Sequence, residues 1–420
     1  MKNIYQKQVL ILALFAGELM MKSGAEVYRV EDTIERICRA CKIDFVECFA
    51  TATGITLSLD SGADEDDMHT FVTRIRSCDI DLDRISRLNQ FSRDFTGTDL
   101  SVADGMSQLR EIAKLKQFIL PLRILGAMLV GAFLCPAFGG RPWEMACAAG
   151  ASGVSFLISE AMKRLEFADF IRVFISCAGC ALFSLLFSLI ITDVNIPAVI
   201  ISGMAIFMPG VAITNSARDL LSGDMLAGIS RFTEALITSI AIAGGVGLIL
   251  KSWMLSGGNY QDIMEVPYHP AFYLMFGFFA TFGFGILFNA PKKFLVLIGL
   301  IGATGRLVMA LLQYTDYNII LACFAGSCII AILSEMCSRA GMDATTVFIL
   351  PGIIPFVPGS TLYTTMENML AGMYEDAIAN GTKALITAGS IALALILVAT
   401  LTRLLLALIR RIEKIFTKKN

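Results

Sequence analysis

The sequence predicts a mainly α-helical polytopic membrane protein with a small α+β domain at its N-terminus. Of the 420 residues, 56% are hydrophobic and 17% are charged, whereas a soluble globular protein is about 45–50% apolar and about 25% charged. Residues 1–120 form an ordinary mixed sequence, and apolar runs long enough to cross a bilayer follow Pro121. We therefore predict a domain over 1–120 and two five-helix membrane repeats over 121–254 and 255–420.

The first part of the N-terminal domain predicts two helices and a group of strands. Apolar residues in Val9–Cys41 have helical spacing that is interrupted at Ser23-Gly24, which indicates two helices and a turn. The segment Val46–Asp60 pivots at Gly54 and is rich in Val, Ile and Thr, which is typical of strands. We interpret Ser61–Asp67 as an acidic loop and Phe71–Arg76 as a further strand.

The second part of the domain predicts two more helices. They are expected over Asp81–Thr96 and Ser101–Gln117, with Asp99 and Ser101 as candidate N-caps. We expect the last helix to lead directly into the first span at Pro121.

Ten apolar runs after residue 121 predict ten transmembrane helices, which form the two repeats. The fourth run is interrupted by Pro197, Gly203 and Pro209-Gly210. The ninth is short and contains or adjoins Pro351, Pro355 and Pro358, and proline breaks a helix. The runs lie near residues 122–139, 143–161, 170–191, 195–213, 228–250, 269–289, 293–312, 318–337, 344–357 and 382–409.

The distribution of Lys and Arg predicts the orientation in the membrane. One set of alternate loops and the C-terminal tail are basic, whereas the opposite loops contain little beyond Arg141 and Lys251. Because basic loops stay in the cytoplasm, we predict a cytoplasmic N-terminal domain and C-terminus. The basic set is Arg123, Lys163, Arg164, Arg172, Arg218, Lys292, Lys293, Arg339, Arg410, Arg411, Lys414, Lys418 and Lys419.

One phrase occurs twice in the membrane part. FMPGVAITNSARDLLSG (207–223) is echoed without a gap by FVPGSTLYTTMENMLAG (356–372), and Pro358 follows Pro209 by 149 residues. Two halves with five spans each have opposite orientations, and many secondary transporters build their substrate site where the interrupted helices of such halves meet. The alternative is that two Pro-Gly pairs mark unrelated loops, which leaves the ungapped match unexplained.

Ionisable groups in membrane segments are candidates for energy coupling. The chain has no G-x-x-x-x-G-K-[ST] motif for nucleotide phosphates, so transport would use an ion gradient or run downhill. We select Asp219, Glu367 and Glu234 as candidates for proton coupling, and expect Glu234 to pair with Arg231, three residues before it. The alternative for Arg218-Asp219 is a solvated cytoplasmic helix surface. Glu144, Glu160 and Glu335 lie near span ends and are expected at the membrane interface.

The residues beside the two breaks are candidates for substrate binding. Helices that start after Pro209-Gly210 and Pro358-Gly359 offer free N–H groups to a carboxylate. Polar side chains nearby can bind the other groups of an amino acid. Arg306 lies within the seventh span and is a further candidate; the alternative is that its side chain extends to the membrane interface. The candidate set is Pro209, Gly210, Asn215, Arg306, Pro358, Gly359, Thr361, Thr364, Thr365 and Asn368.

Other classes of function receive little support from the sequence. A net charge of −2 does not indicate nucleic acid, and two isolated histidines with scattered cysteines predict neither a metal site nor a cofactor. We expect a small-molecule substrate, protons and membrane lipid as partners. The small-residue segments GASG (150–153) and GATG (302–305) permit close helix contacts, within one chain or in a homo-oligomer.

Long segments of the chain resemble the threonine/serine exporter family. GAEVYRVEDTIERICRAC (24–41), VECFATATGITLSL (46–59) and DLDRISRLNQF (81–91) resemble its N-terminal part, and PGVAITNSARDLLSGDMLAGISRFTEAL (209–236) resembles its central motif. APKKFLVLIGLIGATGRL (290–307) and VFILPGIIPFVPGSTLYTTMENML (347–370) resemble its C-terminal half.

The resemblance implies a bacterial inner-membrane exporter of small hydroxy amino acids that is driven by the proton motive force. The two halves, which are separate proteins in some bacteria, would be fused here. Some split members are associated with succinate export, so a dicarboxylate exporter is the alternative within transport. The alternative of another class is a membrane-anchored enzyme or sensor that uses residues 1–120.

Overall fold

The computed structural model of the chain describes residues 2–43, 45–60, 69–75, 78–98, 100–191, 194–257 and 268–417. These residues are mainly helical and fall into two compact units. The first unit comprises Met1–Ile119, Asp224–Ser230 and Phe288–Lys293. The second comprises Leu120–Gly223, Arg231–Leu287 and Phe294–Asn420.

The first unit combines helices with a three-stranded antiparallel sheet of order β1-β2-β3. Its apolar core includes the fully buried side chains of Leu12, Ile34, Ile55 and Leu82. The elements are α1 (Lys2–Lys22), α2 (Val27–Ala40), β1 (Phe45–Thr51), β2 (Gly54–Asp60), β3 (His69–Arg74), α3 (Leu82–Gly97) and α4 (Val102–Ala113).

Most elements predicted for this region are confirmed. Gly24, with a φ of +84°, follows α1 and separates it from α2, because this left-handed conformation favours glycine. The hairpin β1–β2 closes at the pair Thr51 and Gly54. Ser101 caps α4 by accepting a bond of 3.2 Å from the N–H of Asp104. The predictions for Ser61–Asp67, Arg76 and Asp99 lie outside the described residues.

The expectation that the last helix of the domain leads directly into the first span is wrong. The helix α4 ends at Ala113, and the next helix begins at Leu120. In a continuous helix the ring of Pro121 would clash with the carbonyl of Gln117. The backbone N–H of Phe118 instead donates to the side-chain oxygen of Asn289 at 3.1 Å.

The segment Phe288–Lys293 is joined to the start of α3 by hydrogen bonds within the first unit. The N–H of Leu82 donates to the carbonyl of Phe288, and the N–H of Asp83 to that of Asn289, both at 2.9 Å. The Asn289 side-chain amide also donates to Asp81 at 2.8 Å. Asp81 is almost fully buried and caps α3 through the N–H of Arg84. Hydrogen bonds from both backbone and side chains therefore fix this short segment.

The second unit is helical throughout its described residues. Two of its helices are broken, and a 3-10 helix precedes each break, at Ala205–Phe207 and Ile354–Phe356. The helices of this part of the chain are α5 (Leu120–Leu134), α6 (Pro142–Arg164), α7 (Asp169–Ser188), α8 (Ile196–Gly203), α9 (Gly210–Ser222), α10 (Met225–Leu255), α11 (Phe272–Leu287), α12 (Leu295–Tyr314), α13 (Ile319–Arg339), α14 (Thr345–Ile353), α15 (Gly359–Leu370) and α16 (Tyr374–Thr417).

Seven helices in the described residues are long and apolar enough to cross a membrane, and the number is nine if each bent pair is one span. The bent pairs are α8–α9 and α14–α15. The remaining apolar run corresponds to α11, which has 16 residues and is shorter than these spans. A polytopic membrane protein is thus supported, while the number of ten spans stays a prediction.

The succession of elements in 120–255 occurs again in 272–417. Each stretch has three helices, then a broken helix, then a long helix. In the first stretch α5 packs on α6 and α6 on α7, and in the second α11 packs on α12 and α12 on α13. Helices α5 and α11 also pack on each other, where Gly126 lies against the backbone of Gly283.

The three carboxylates expected at the membrane interface have internal partners in the second unit. Glu144 is only 1% exposed and accepts the N–H groups of Arg141 and Asn195, each at 2.6 Å. Glu144 thus serves the starts of α6 and α8, which supply N–H groups that need an acceptor, and its place at the membrane interface stays a prediction. Glu160 forms an ion pair with Arg123 at 3.3 Å. Glu335 forms one with Arg339 at 2.7 Å.

Candidate functional site

Both broken helices have nearly the same backbone geometry at their Pro-Gly pairs. Pro209 has φ and ψ of −76° and 47°, and Pro358 has −73° and 48°. A new helix starts at the following glycine, and the two bends are 59° and 45°. Gly223 and Gly372, which follow these helices, have φ values of +92° and +80°. The sequence echo therefore corresponds to a repeated local structure.

The two breaks contact each other reciprocally. A Cβ atom at Gly210 would lie 3.1 Å from the Cβ of Val357, and one at Gly359 would lie 2.7 Å from the Cβ of Met208. Gly210 and Gly359 are equivalent positions of the echo, as are Met208 and Val357. The same small surface is thus used twice, which is the property of a contact across a two-fold axis.

A cavity of about 170 Å³ lies beside the second break. Of the candidates, it brings together Gly210, Arg306, Pro358, Gly359 and Thr361. The first turn of α15, which begins at Gly359, lines the cavity and has backbone N–H groups without a partner within the helix. Further polar residues that line the cavity are Tyr273, Gln313, Ser360, Lys383 and Thr387.

Arg306 is the buried cation of this cavity. The residue is 8% exposed, and its guanidinium lies 5.3 Å from the centre of the Tyr273 ring and donates to the sulfur of Met309 at 3.1 Å. Within the described part of the chain, no carboxylate oxygen lies within 4 Å of it. Gly277 makes room for the side chain, since a Cβ there would be 2.7 Å from the Cβ of Arg306. A guanidinium has five N–H donors, so it can still bind an anion.

Lys383 and Thr387 line the cavity and were not among the sequence candidates. The signal for them was present, because the echo continues beyond Gly372. TEALIT (233–238) and TKALIT (382–387) keep the same offset of 149 residues as Pro209 and Pro358. Lys383 is therefore equivalent to Glu234, and Thr387 is equivalent to Thr238.

The other candidates do not line the cavity. Asn215 and Asp219 are buried in α9, and Glu234 is exposed on α10. The hydroxyls of Thr364 and Thr365 donate to the carbonyls of Ser360 and Thr361, four residues earlier in α15. The remaining members of this group are Pro209, Glu367 and Asn368.

Asp219 forms an ion pair with Arg231, with 3.2 Å between Oδ2 and Nε. The side chains are only 10% and 14% exposed. The expected pair of Arg231 with Glu234 is therefore wrong, because Asp219 on the neighbouring helix lies close to Arg231 while Glu234 remains exposed. The burial of Asp219 also argues against a solvated helix surface at this position.

The cysteine pair Cys38-x-x-Cys41 has the character of packing rather than of chemistry. Cys38 is fully buried, and burial raises its pKa to about 12, so the thiol is a poor nucleophile and a poor metal ligand. Among the residues that the structure describes, no three His, Cys, Asp or Glu side chains are grouped so that they could hold a metal ion.

Comparisons with known proteins cover nearly the whole chain. Residues 11–253 match a family model described as "Putative threonine/serine exporter", and residues 273–401 match one described as "Threonine/Serine exporter, ThrE". A "Probable threonine/serine exporter" of Mycobacterium tuberculosis is 22% identical over 94% of this chain and 75% of its own length. Pheromone-regulated membrane protein 10 of Kluyveromyces lactis is 23% identical over 90% of this chain and 40% of its own length. No solved structure matches the chain.

Proposed function

Because the chain belongs to the threonine/serine exporter family, we propose that it is a secondary active exporter of small polar metabolites, with threonine or serine as the leading substrate. The observation that carries this proposal is the polar cavity at the two reciprocal Pro-Gly breaks. Family membership also favours a transporter over a membrane-anchored enzyme or sensor.

The substrate carboxylate binds between Arg306 and the start of α15. The guanidinium is buried in the cavity wall without a carboxylate partner in the described residues, and the N–H groups of Ser360 and Thr361 add a second set of donors. Ser360, Thr361 and Thr387 supply hydroxyl groups for the hydroxyl and ammonium groups of threonine or serine.

Energy coupling uses the proton motive force through a buried carboxylate. Asp219 is the first candidate, because protonation of its carboxylate would break the ion pair with Arg231. Such a change at the end of a broken helix can be transmitted to the contact of Gly210 with Val357. Glu234 and Glu367 remain further candidates for the coupling proton.

The two halves form an inverted pair and exchange conformations during transport. The reciprocal contacts of Gly210 with Val357 and of Gly359 with Met208 support this arrangement. The contact of Gly126 with Gly283 supports it too, since each glycine lies against the carbonyl oxygen of the other. Ten spans in two repeats, over 121–254 and 255–420, follow from this proposal.

In the opposite state the first break would line a cavity equivalent to the one beside Pro358. Glu234 and Thr238 would then take the places that Lys383 and Thr387 have here. We place the protein in the inner membrane of a bacterium, with the domain 1–120 and the C-terminus in the cytoplasm, as the basic loops predict. A homo-oligomer stays a prediction.

A dicarboxylate such as succinate is the second candidate substrate. The cavity is lined by two cationic side chains, Arg306 and Lys383, and its described lining contains no carboxylate. Two cations in one cavity suit a substrate with two carboxylates better than a zwitterion.

Uptake into inside-out vesicles tests both candidates. Labelled threonine, serine and succinate are supplied with and without a proton gradient, and empty-vector vesicles give the background. We expect gradient-dependent accumulation of threonine or serine, and loss of this accumulation in Arg306→Gln. Accumulation of succinate alone would replace the leading substrate by the second candidate. No accumulation of any of the three by well-expressed protein would contradict the proposal.

A further inference from the structure

The first unit contains a polar cavity of about 190 Å³ between α2 and α3. Three arginines, Arg29, Arg36 and Arg93, line it together with Asp32, Asn89 and Ser92. This cavity shares no lining residue with the cavity beside Gly359 in the second unit.

The charges around this cavity leave one cation in excess. Arg36 donates to Asp32 at 2.6 Å, and Arg29 lies 3.5 Å from Glu26. No carboxylate oxygen in the described ranges lies within 4 Å of Arg93. The excess positive charge of the cavity wall therefore favours an anion.

Two buried neutral groups also lack an acceptor. Ser92 is 4% exposed, and its hydroxyl has no hydrogen-bond partner among the described residues. Asn89 also lines the cavity; its side-chain oxygen accepts from Arg29 at 3.0 Å, and its amide nitrogen is buried without a partner in the described part of the chain. Buried polar groups in native proteins are normally hydrogen-bonded, so these two point to a missing acceptor.

We propose that this cavity binds a small oxyanion through a carboxylate or phosphate group. Arg93 supplies the charge, and the Ser92 hydroxyl and the Asn89 amide donate to the oxygens of the anion. Guanidinium groups match the planar or tetrahedral arrangement of such oxygens by donating two parallel hydrogen bonds. Arg29 and Arg36 of α2 line the same cavity, so a ligand held by α3 also contacts α2, and its binding stabilises the packing of these two helices.

Hydrogen–deuterium exchange of the purified full-length protein tests this site. Peptides from residues 27–40 and 82–97 are followed in sodium phosphate, sodium acetate and sodium chloride at equal ionic strength. Exchange that requires opening of the helix pair should slow by a factor of 1 + [L]/Kd, about 100 at a hundredfold excess over Kd. Slowing by phosphate alone identifies a phosphate ligand, and slowing by both salts identifies a carboxylate ligand as well.

Three variants make the test specific. Asn89→Asp replaces the donor by a carboxylate of the same shape, and Arg93→Gln removes the excess cation, so both should abolish the slowing. Arg87→Gln removes one positive charge from the same helix outside the cavity, where Arg87 pairs with Asp83, and should keep it. Equal slowing in all three variants, or no slowing relative to chloride in the unaltered protein, would overturn the proposal.

Discussion

Gly359 lies so close to Met208 that a Cβ atom added to the glycine would be 2.7 Å from the Cβ of Met208. The equivalent contact, Gly210 with Val357, is slightly wider at 3.1 Å. The glycine that starts each new helix therefore packs against the side chain that precedes the other break, beside the cavity that Arg306 lines.

Gly359→Ala should destabilise the protein by about 1–3 kcal/mol, because the new methyl group overlaps the Met208 side chain. Transport should fall at the same time, since the shift occurs at the cavity wall. Gly389→Ala on α16 is the matched control: a Cβ there meets nothing within 4 Å, and alanine favours a helix. Thermal unfolding and export are measured for both variants. If Gly359→Ala were as stable and exported as well as Gly389→Ala, the result would contradict this packing.

Asp219→Asn should destabilise the protein by about 3–5 kcal/mol, because it leaves the buried Arg231 without its counter-charge. The double variant Asp219→Asn/Arg231→Asn should regain much of this loss. The second half of the chain already has asparagine at both equivalent positions, Asn368 and Asn380. Stability is measured by thermal unfolding of the single and double variants.

Measuring export by the double variant distinguishes a role of Asp219 in proton coupling from a role in folding alone. If Asp219 carries the coupling proton, the stable double variant should not concentrate substrate in response to a proton gradient. Wild-type accumulation by that variant would show that the ion pair acts only in folding. Glu367→Gln, in the equivalent helix, should also impair export at preserved expression.

Lys383→Gln should affect the two candidate substrates differently. A charge-assisted hydrogen bond contributes about 1.5–3 kcal/mol, so loss of the ammonium should weaken succinate transport by roughly 10- to 150-fold if succinate uses both cations. Threonine has one carboxylate, which we propose that Arg306 binds, and its transport should lose less. Lys251→Gln, on the exposed end of α10, is the control for charge. Equal losses for both substrates would contradict separate roles for the two cations.

Glu31→Gln should remove a pH dependence from the first unit. Burial raises the Glu31 pKa above its ordinary 4.5, opposed by the Ala50 N–H that donates to it, and Asp224 and Glu35 raise it further. The folded unit therefore binds this proton more tightly than the unfolded chain. Its contribution to stability is present below pH 4.5 and is lost as pH rises through the raised pKa.

Hydrogen exchange at Ala50, corrected for its intrinsic pH dependence, measures this effect. Between about pH 4.5 and pH 7 the opening free energy of β1 should fall in the unaltered protein and stay level in Glu31→Gln, whose side-chain oxygen can still accept from Ala50. The exposed Glu47→Gln serves as the control on the same strand. A parallel fall in Glu31→Gln would exclude this carboxylate as the cause.

Much of the fold could be predicted because its signals are local. The turn at Gly24, the hairpin at Gly54 and the cap at Ser101 each depend on residues a few positions apart. The end of α4 at Ala113 was missed because the N–H of Phe118, which a longer helix would have used, donates to the side chain of Asn289, far along the chain. The burial of Glu144 was missed for the same reason, since one of its partners is Asn195 on another helix.

The candidate site was predicted in part. The phrase around Pro209 and Pro358 located both breaks, but it did not show which side of each helix faces the cavity. Thr364 and Thr365 bond to the carbonyls of their own helix, whereas Thr361, at its start, lines the cavity. Lys383 could have been found by extending the repeat, while the pair of Asp219 with Arg231 depends on helix packing that spacing alone does not give.

Substrate protection at residue 361 tests most directly whether the cavity beside Gly359 is the transport site. The variant Thr361→Cys is alkylated in protein that still exports, and modification of this one position is quantified by peptide mass spectrometry with and without substrate. We predict that the transported substrate slows alkylation at position 361 and has no effect in the variant Thr402→Cys, whose new thiol lies away from the cavity. An unchanged rate at position 361 under saturating substrate, in protein that exports normally, would contradict the assignment.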